Sequence, residues 1–289
     1  MGEDGRTHFE PAVFYTVKVG KEESAVKPEN LEKINRSFEI QAPSFESKAY
    51  SFSKETYLKE VLACIQPHRE DVVLEVAAGT CACGRAFAPL VQSVVCLDAT
   101  ASMLQIGRQE ADRGGLHNLF FVKGYAQELP FLEGSFDIVF SRLAFHHFPD
   151  REPAFSEMVR VVKPGGRVVM IDMEAADEPL RETEDAIERM RDPSHVRNLS
   201  KAEMKGLFAA HHLAVDLCET TQMPQRLESW LSLTKTPPDV RQEVARRMQT
   251  EINGGEKTGF MPYLQDNAIC FHQRWVLISG HKEGEGQSV

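Results

Sequence analysis

Three sets of residues in this sequence have types and spacings suited to chemistry. The first is the run Asp71-Val72-Val73-Leu74-Glu75-Val76-Ala77-Ala78-Gly79-Thr80-Cys81-Ala82-Cys83-Gly84. Its apolar, β-branched half reads as a buried strand; its small residues then turn into a helix from about Ala82 to Leu90. Such a turn lets a ligand come close to backbone N–H groups at a helix N-terminus. Glu75 adds a fixed negative charge near the strand end, and the next apolar run, Ser93-Val94-Val95-Cys96-Leu97, ends in Asp98. A carboxylate in that position accepts two hydroxyl hydrogen bonds well. The competing role for both acids is to cap a helix or order a loop.

The second set is Arg142, His146 and His147, which follow the apolar run Phe136-Asp137-Ile138-Val139-Phe140. An imidazole there is a candidate general base, needed where an acceptor must lose a proton. The alternative for both histidines is packing beneath a loop. Arg142 either meets a ligand carboxylate or a nearby acid, or serves structure. The third set is Arg191, His195 and Arg197 in the polar loop Arg191-Asp192-Pro193-Ser194-His195-Val196-Arg197. Arginine forks suit a substrate carboxylate or phosphate; the alternative is that, with Asp192, they pin the loop to the sheet.

The elements that must position these groups follow an alternating pattern. A helix over Ser53 to Gln66 carries Leu58, Val61, Leu62 and Ile65 at helical spacing, and Pro67 stops it. After the two strands above comes a helix with Met103 and Leu104, capped by Thr100 and ended by Gly114-Gly115. Strands follow at 119–123, 136–140 and 167–171; a helix from Asp150 to Val162 and the stop Lys163-Pro164-Gly165-Gly166 precede the last of these. Strands alternating with helices imply a parallel sheet covered on both faces. Residues 174–192, rich in acids and arginines, read as a solvated helix. Ser200 with Glu203 is a capping-box pattern. A sixth strand spans 213–218, and 268–279 read as a last strand after an Asp266-Asn267 turn. Residues 1–52 form an N-terminal segment that serves as a lid through Phe45 and Tyr50, or plugs a core edge. A domain over 53–289 carries a helical, Trp230-containing cap insertion at 222–264.

The chain has 289 residues and a formal net charge of -10. That charge argues against a nucleic-acid binder working by phosphate neutralisation. No apolar run reaches the length of a membrane span and no leader pattern opens the chain, so a cytoplasmic location is expected. The six cysteines are Cys64, Cys81, Cys83, Cys96, Cys218 and Cys270. Cys81 and Cys83 lack a second pair to complete a zinc site, so buried thiols are expected rather than metal ligands or disulfides.

In order and spacing, these residues resemble the class I S-adenosylmethionine-dependent methyltransferases, in the branch similar to ubiquinone/menaquinone-biosynthesis methyltransferases. The resemblance rests on Glu75 to Cys81, Asp98, Gly124-Tyr125-Ala126-Gln127-Glu128-Leu129-Pro130-Phe131, and Ser141 to Phe148. It implies an α/β, Rossmann-like, seven-stranded and mostly parallel sheet with an antiparallel last strand. It also implies that S-adenosyl-L-methionine is held by Glu75, Ala77, Gly79, Thr80, Asp98, Ala99, Met103, Tyr125, Ala126, Ser141 and Arg142, with Asp98 on the ribose. Tyr125 stands where the family often has an acid; Ala77 and Cys81 stand where it has glycines. His146 and His147 are then candidate catalytic groups, and Tyr50, Arg191, His195 and Arg197 candidate contacts for a small-molecule methyl acceptor. Two other classes fit parts of the pattern. Asp98 lies 19 residues after Gly79, as a nicotinamide-dependent oxidoreductase requires, but the glycine fingerprint is absent. A protein of methyltransferase fold that binds cofactor or metabolite without transferring methyl is the other.

Overall fold

The computed structural model describes residues 28–42 and 55–282, so Phe45 and Tyr50 lie outside the described residues. The sheet is built around β1 (Val72–Val76). It pairs in parallel with β2 (Ser93–Asp98) on one side and β4 (Phe136–Arg142) on the other. Parallel β3 (Leu119–Lys123) extends the first side and parallel β5 (Val162–Met173) the second. β8 (Ala268–Lys282) then runs antiparallel between β5 and β6 (Leu213–Arg226). The order is therefore β3-β2-β1-β4-β5-β8-β6, as expected for a mostly parallel sheet closed by an antiparallel last strand. An additional short strand, β7 (Tyr263–Gln265), forms a hairpin with the start of β8 across Asp266 and Asn267, both at positive φ.

Successive strand residues point to opposite faces, and the burial follows that period. Val73, Ile138 and Phe140 pack with Tyr57, Val61 and Ile65 of α2 (Glu55–Ile65), Phe87 of α3 (Ala82–Phe87) and Leu104 of α4 (Ala101–Arg113). Leu74, Val76 and Val139 pack on the other face with Phe155 and Met158 of α5 (Glu152–Val161) and Phe208 of α7 (Lys201–Ala210). Ser200 and Glu203 form the expected capping box at the start of α7. A third, separate core joins α6 (Arg181–Arg191), α8 (Leu227–Leu233) and α9 (Pro238–Ile252) around Trp230, Phe260 and Phe271, which meet edge to face.

Four local expectations change. Residues 222–226, assigned to the insertion, are strand: Gln222 pairs with Arg274 and Arg226 with Cys270, because β8 is long enough to extend β6. Lys163 to Gly166 do not stop the chain but form the irregular start of β5, where the register shifts between Phe136 and Ile138. A Cβ at Gly166 would stand 2.8 Å from the Asp137 carbonyl oxygen, so this approach needs glycine. Thr100 makes no side-chain cap at α4; its N–H instead donates to Asp98 at 2.7 Å. The acid-rich helix α6 is not solvated: Glu184, Asp185 and Glu188 are buried. Each meets a polar or charged partner within the fold. Glu184 takes the Ala176 N–H and Arg274, Asp185 takes His195, and Glu188 takes Arg191.

The N-terminal helix α1 (Pro28–Gln41) lies across the carboxyl ends of the strands. Ser37 and Gln41 donate to the two oxygens of Asp192 at 2.9 and 3.0 Å, and Phe38 meets the His147 ring edge to face at 5.0 Å.

Candidate active site

Two adjoining hollows open at the carboxyl ends of β1, β2 and β4, where the strand order reverses and open α/β sheets bind ligands. The first is a cleft of about 640 Å³ between the β1 turn, the β2 end, the loop at Tyr125 and the underside of α1. Ala77, Gly79, Asp98, Ala99, Tyr125 and Ala126 line it, with Ile34, Phe38 and Leu97 as apolar walls. The second is a chamber of about 620 Å³ lined by His146, His147, Arg191 and His195, and roofed by Trp230 and Trp275. Leu143 and His147 line both.

The cleft is shaped by backbone. Ala77, Gly79 and Cys81 all have positive φ, of 54°, 54° and 59°. That is the reason glycine suits these positions, and two of the three carry a side chain. The left-handed conformation costs an L-residue about 1–2 kcal/mol. Glycine gives back about 0.4–1 kcal/mol of this through the freer unfolded chain. Ala77→Gly is therefore expected to stabilise the protein by about 0.5 kcal/mol, seen as a higher urea midpoint with an unchanged slope. Asp98 holds the turn in place: Gly79 N–H donates to Oδ2 at 2.8 Å and Thr100 N–H to Oδ1 at 2.7 Å. Burial pushes its carboxyl above the usual range, against the downward pull of those two N–H groups and of the Thr100 side chain. Each oxygen keeps a lone pair for a ligand.

Five residues expected around a cofactor do not line the cleft. Glu75 is buried behind the turn, where its Oε2 accepts the Gly84 N–H at 2.7 Å and tethers α3. Its side chain falls on the α3 face of the sheet because strand residues alternate. Thr80 and Met103 are fully enclosed in the packing beneath the turn, and Ser141 is buried within β4. Arg142 lines neither hollow. Burial pushes the Glu75 carboxyl up to about 7, only partly opposed by the Gly84 N–H and Arg142. Because the folded value lies above the unfolded one, this stabilising contribution is complete below about pH 4.5 and disappears as pH rises through 7. Glu75→Gln cannot titrate. Between pH 4.5 and 8 the wild type should lose about 3 kcal/mol more stability than this variant, measured by urea unfolding at both pH values.

In the chamber, carboxylates fix the imidazoles. His146 Nδ1 sits 2.6 Å from Asp172 Oδ1 at the end of β5. His195 Nε2 sits 2.8 Å from Asp185 Oδ1, and its own Nδ1 is sealed without a partner among the described residues. His147 Nδ1 lies 3.0 Å from the Ser194 hydroxyl and 3.2 Å from its carbonyl. The hydroxyl donates to Asp192 at 2.6 Å, so both Ser194 oxygens accept and Nδ1 of His147 carries the proton. Burial, with His146 beside it, pushes His147 down to about 3, so the ring is neutral at physiological pH. Arg191 lies over the Trp230 ring at 4.4 Å and pairs with Glu188 at 3.2 Å. Arg197 stands apart from the chamber and pairs with Glu203, itself held by Arg181. Sequence reasoning missed Asp172, Gln41 and Trp275. Only Asp172 carried a signal, an acid ending an apolar strand just as Asp98 does.

The family described as "Methyltransferase domain" matches residues 74–170. An uncharacterized methyltransferase, YcgJ of Bacillus subtilis, is 35% identical over 222 residues, covering 76% of this chain and 86% of that protein. The crystal structure of YcgJ superposes with a TM-score of 0.72 over 80% of this chain and 99% of its own. A demethylmenaquinone methyltransferase of Listeria monocytogenes is 33% identical over 147 residues, 49% of this chain and 62% of that protein. In fold alone, the chain is similar to a phosphoethanolamine N-methyltransferase of Haemonchus contortus in complex with S-adenosyl-L-methionine, with a TM-score of 0.58 at 18% identity over 86% of this chain and 56% of that one.

Proposed function

The chain belongs to the class I S-adenosylmethionine-dependent methyltransferases, and on that premise we propose that it transfers a methyl group to a small-molecule acceptor held in the chamber beside the cleft. The observation that carries this reading is that the two hollows adjoin, with Leu143 and His147 lining both. In-line displacement needs donor and acceptor on opposite sides of one short passage, and alignment supplies much of the rate.

The cleft suits S-adenosyl-L-methionine. Asp98 retains lone pairs for two ribose hydroxyls, Phe38, Leu97 and Ala126 offer apolar surface to a flat base, and Tyr125 and Gln127 offer polar edges. The positive-φ turn presents the backbone of Ala77 and Gly79 at the same wall. Bound there, the cofactor supplies an already activated methyl on a sulfonium. His147, neutral in its buried setting, adds no positive charge to oppose that sulfonium. α1, tied to Asp192 and lining both hollows, supports a water-excluding lid formed by the N-terminal segment. Arg191 and His195 belong to the acceptor's side. The chamber is too small for a polynucleotide, and the net charge of -10 opposes one. No described helix is long and apolar enough to cross a membrane.

Calorimetric titration tests the reading. S-adenosylmethionine and S-adenosylhomocysteine should bind, and NAD should not; absence of binding by the first two would overturn it. Labelled methyl transfer to a metabolite panel separates an enzyme from a protein of the same fold that only binds.

A further inference from the structure

The chamber's polar groups show which acceptor it is built for. The carboxylate of Asp172 accepts four N–H groups. Its Oδ2 takes the backbone N–H of Phe145 at 2.6 Å and of His146 at 3.3 Å; its Oδ1 takes the Met173 N–H at 2.7 Å and His146 Nδ1 at 2.6 Å. Burial pushes the Asp172 carboxyl up, but the His146 ring and these donors outweigh it and hold it below the usual range. It is therefore an acceptor only, and Nδ1 of His146 must carry a proton. The lone pair is left on Nε2, which has no partner among the described residues, in a ring that lines the chamber 4.0 Å from His147, which lines both hollows. A fixed tautomer with its lone pair toward substrate is the arrangement of a general base.

We propose that the chamber takes a small acceptor with an ionisable hydroxyl on an unsaturated carbon, a phenol or enol, and that His146 removes its proton as the oxygen is methylated. This rests on the function proposed above. The hydroxyl oxygen forms the new O–C bond and the methyl's bond to sulfur breaks, leaving its electron pair on sulfur as a neutral thioether. The hydroxyl proton passes to Nε2, and the imidazolium so formed faces the Asp172 carboxylate.

The other acceptors do not need this machinery. A neutral amine attacks with its own lone pair, and an ammonium would need a bare carboxylate. The acids here are occupied. Glu188 takes Arg191 at 3.2 Å and Gln273 at 3.3 Å. Asp192 takes Ser37, Gln41 and Ser194. A thiol, with a pKa near ~8.5, already presents a few per cent of strongly nucleophilic thiolate near neutral pH, whereas a phenol near ~10 is ionised about thirty times less. The indole N–H groups of Trp230 and Trp275 are buried without hydrogen-bond partners among the described residues, and both rings line the chamber.

His146→Asn is the test variant, because the asparagine amide can still donate to Asp172 while Nε2 is removed. The wild type and the variant are assayed with S-adenosylmethionine and compact phenols, from unactivated 4-methylphenol to 4-nitrophenol at a pH where the latter is ionised. For the unactivated phenol, kcat should fall about 100-fold or more with KM little changed. For the ionised phenol the fall should be under about fivefold, since no proton remains to be removed. A readout without cofactor accompanies this: 4-nitrophenol bound below its ionisation point should show a phenolate absorption band on the wild type and lose it on the variant. Equal loss for both phenols, no methyl ether from any phenol, or preferred methylation of amine or thiol analogues would each overturn the inference while cofactor binding stands. Failure of the wild type to bind S-adenosylmethionine would instead overturn the function itself.

Discussion

Asp98→Ala is expected to weaken S-adenosylmethionine binding at least tenfold, or about 1.4 kcal/mol, and to lower stability by about 2 kcal/mol. Two effects add. The variant removes the acceptor proposed for the ribose hydroxyls, and it frees the Gly79 and Thr100 N–H groups that the carboxylate holds at 2.8 and 2.7 Å. The second effect loosens the turn carrying the positive-φ residues Ala77 and Cys81, so the cleft wall itself relaxes. Asp98→Asn separates the two. Its amide oxygen can still accept one N–H, so it should regain part of the stability but little of the affinity. Calorimetry and urea unfolding on both variants check this; unchanged affinity in Asp98→Ala would place the ribose elsewhere.

Asp192→Ala is expected to cost about 3 kcal/mol and to release α1. The buried carboxylate accepts from Ser37, Gln41, the Ser194 N–H and the Ser194 hydroxyl, so its loss strands several donors at once. Burial pushes this carboxyl up, but His147, Arg191 and the Ser194 donors hold it well below the usual range. A depressed folded value means that this stability is fully present above about pH 4 and is lost as pH falls toward the folded value. His147, held down at about 3, adds a loss in the same direction starting near pH 6.5, because the unfolded chain takes up its proton first. The wild type should therefore shed α1 in acid before the sheet unfolds, whereas the variant should have α1 detached already at pH 7. Hydrogen exchange of residues 28–42 reads this directly. Protection of that helix in the variant equal to the wild type would show that apolar packing holds it instead.

Much of the architecture was legible because the signals are local. β1, β2, β3, β4 and the later part of β5 each announce themselves as short β-branched or apolar runs, and the capping box at Ser200 is a four-residue pattern. Asp98 was legible for the same reason: it ends a buried strand, and a strand end on an open α/β sheet faces the ligand crevice. Glu75 looked equivalent and is not, since its side chain falls on the α3 face and serves Gly84. The acids of α6 looked solvated because their partners are distant or out of helical register: Arg274 lies 90 residues from Glu184, and His195 lies 10 from Asp185.

The sequence by itself determined the sheet, the turn after β1 and the acid beside it. These depend on residue periodicity and on backbone conformations that a few small residues permit. Tertiary structure decided everything that makes the second hollow a chamber: β8 threading between β5 and β6, α1 crossing to Asp192 from 155 residues away, and Asp172 meeting His146 across 26 residues. A hydrogen bond between side chains so far apart leaves no local pattern, because it exists only once the strands and helices have packed. The roles of His146 and His147 were open for that reason. Their neighbours in the folded chain, rather than their neighbours in sequence, set which nitrogen carries the proton.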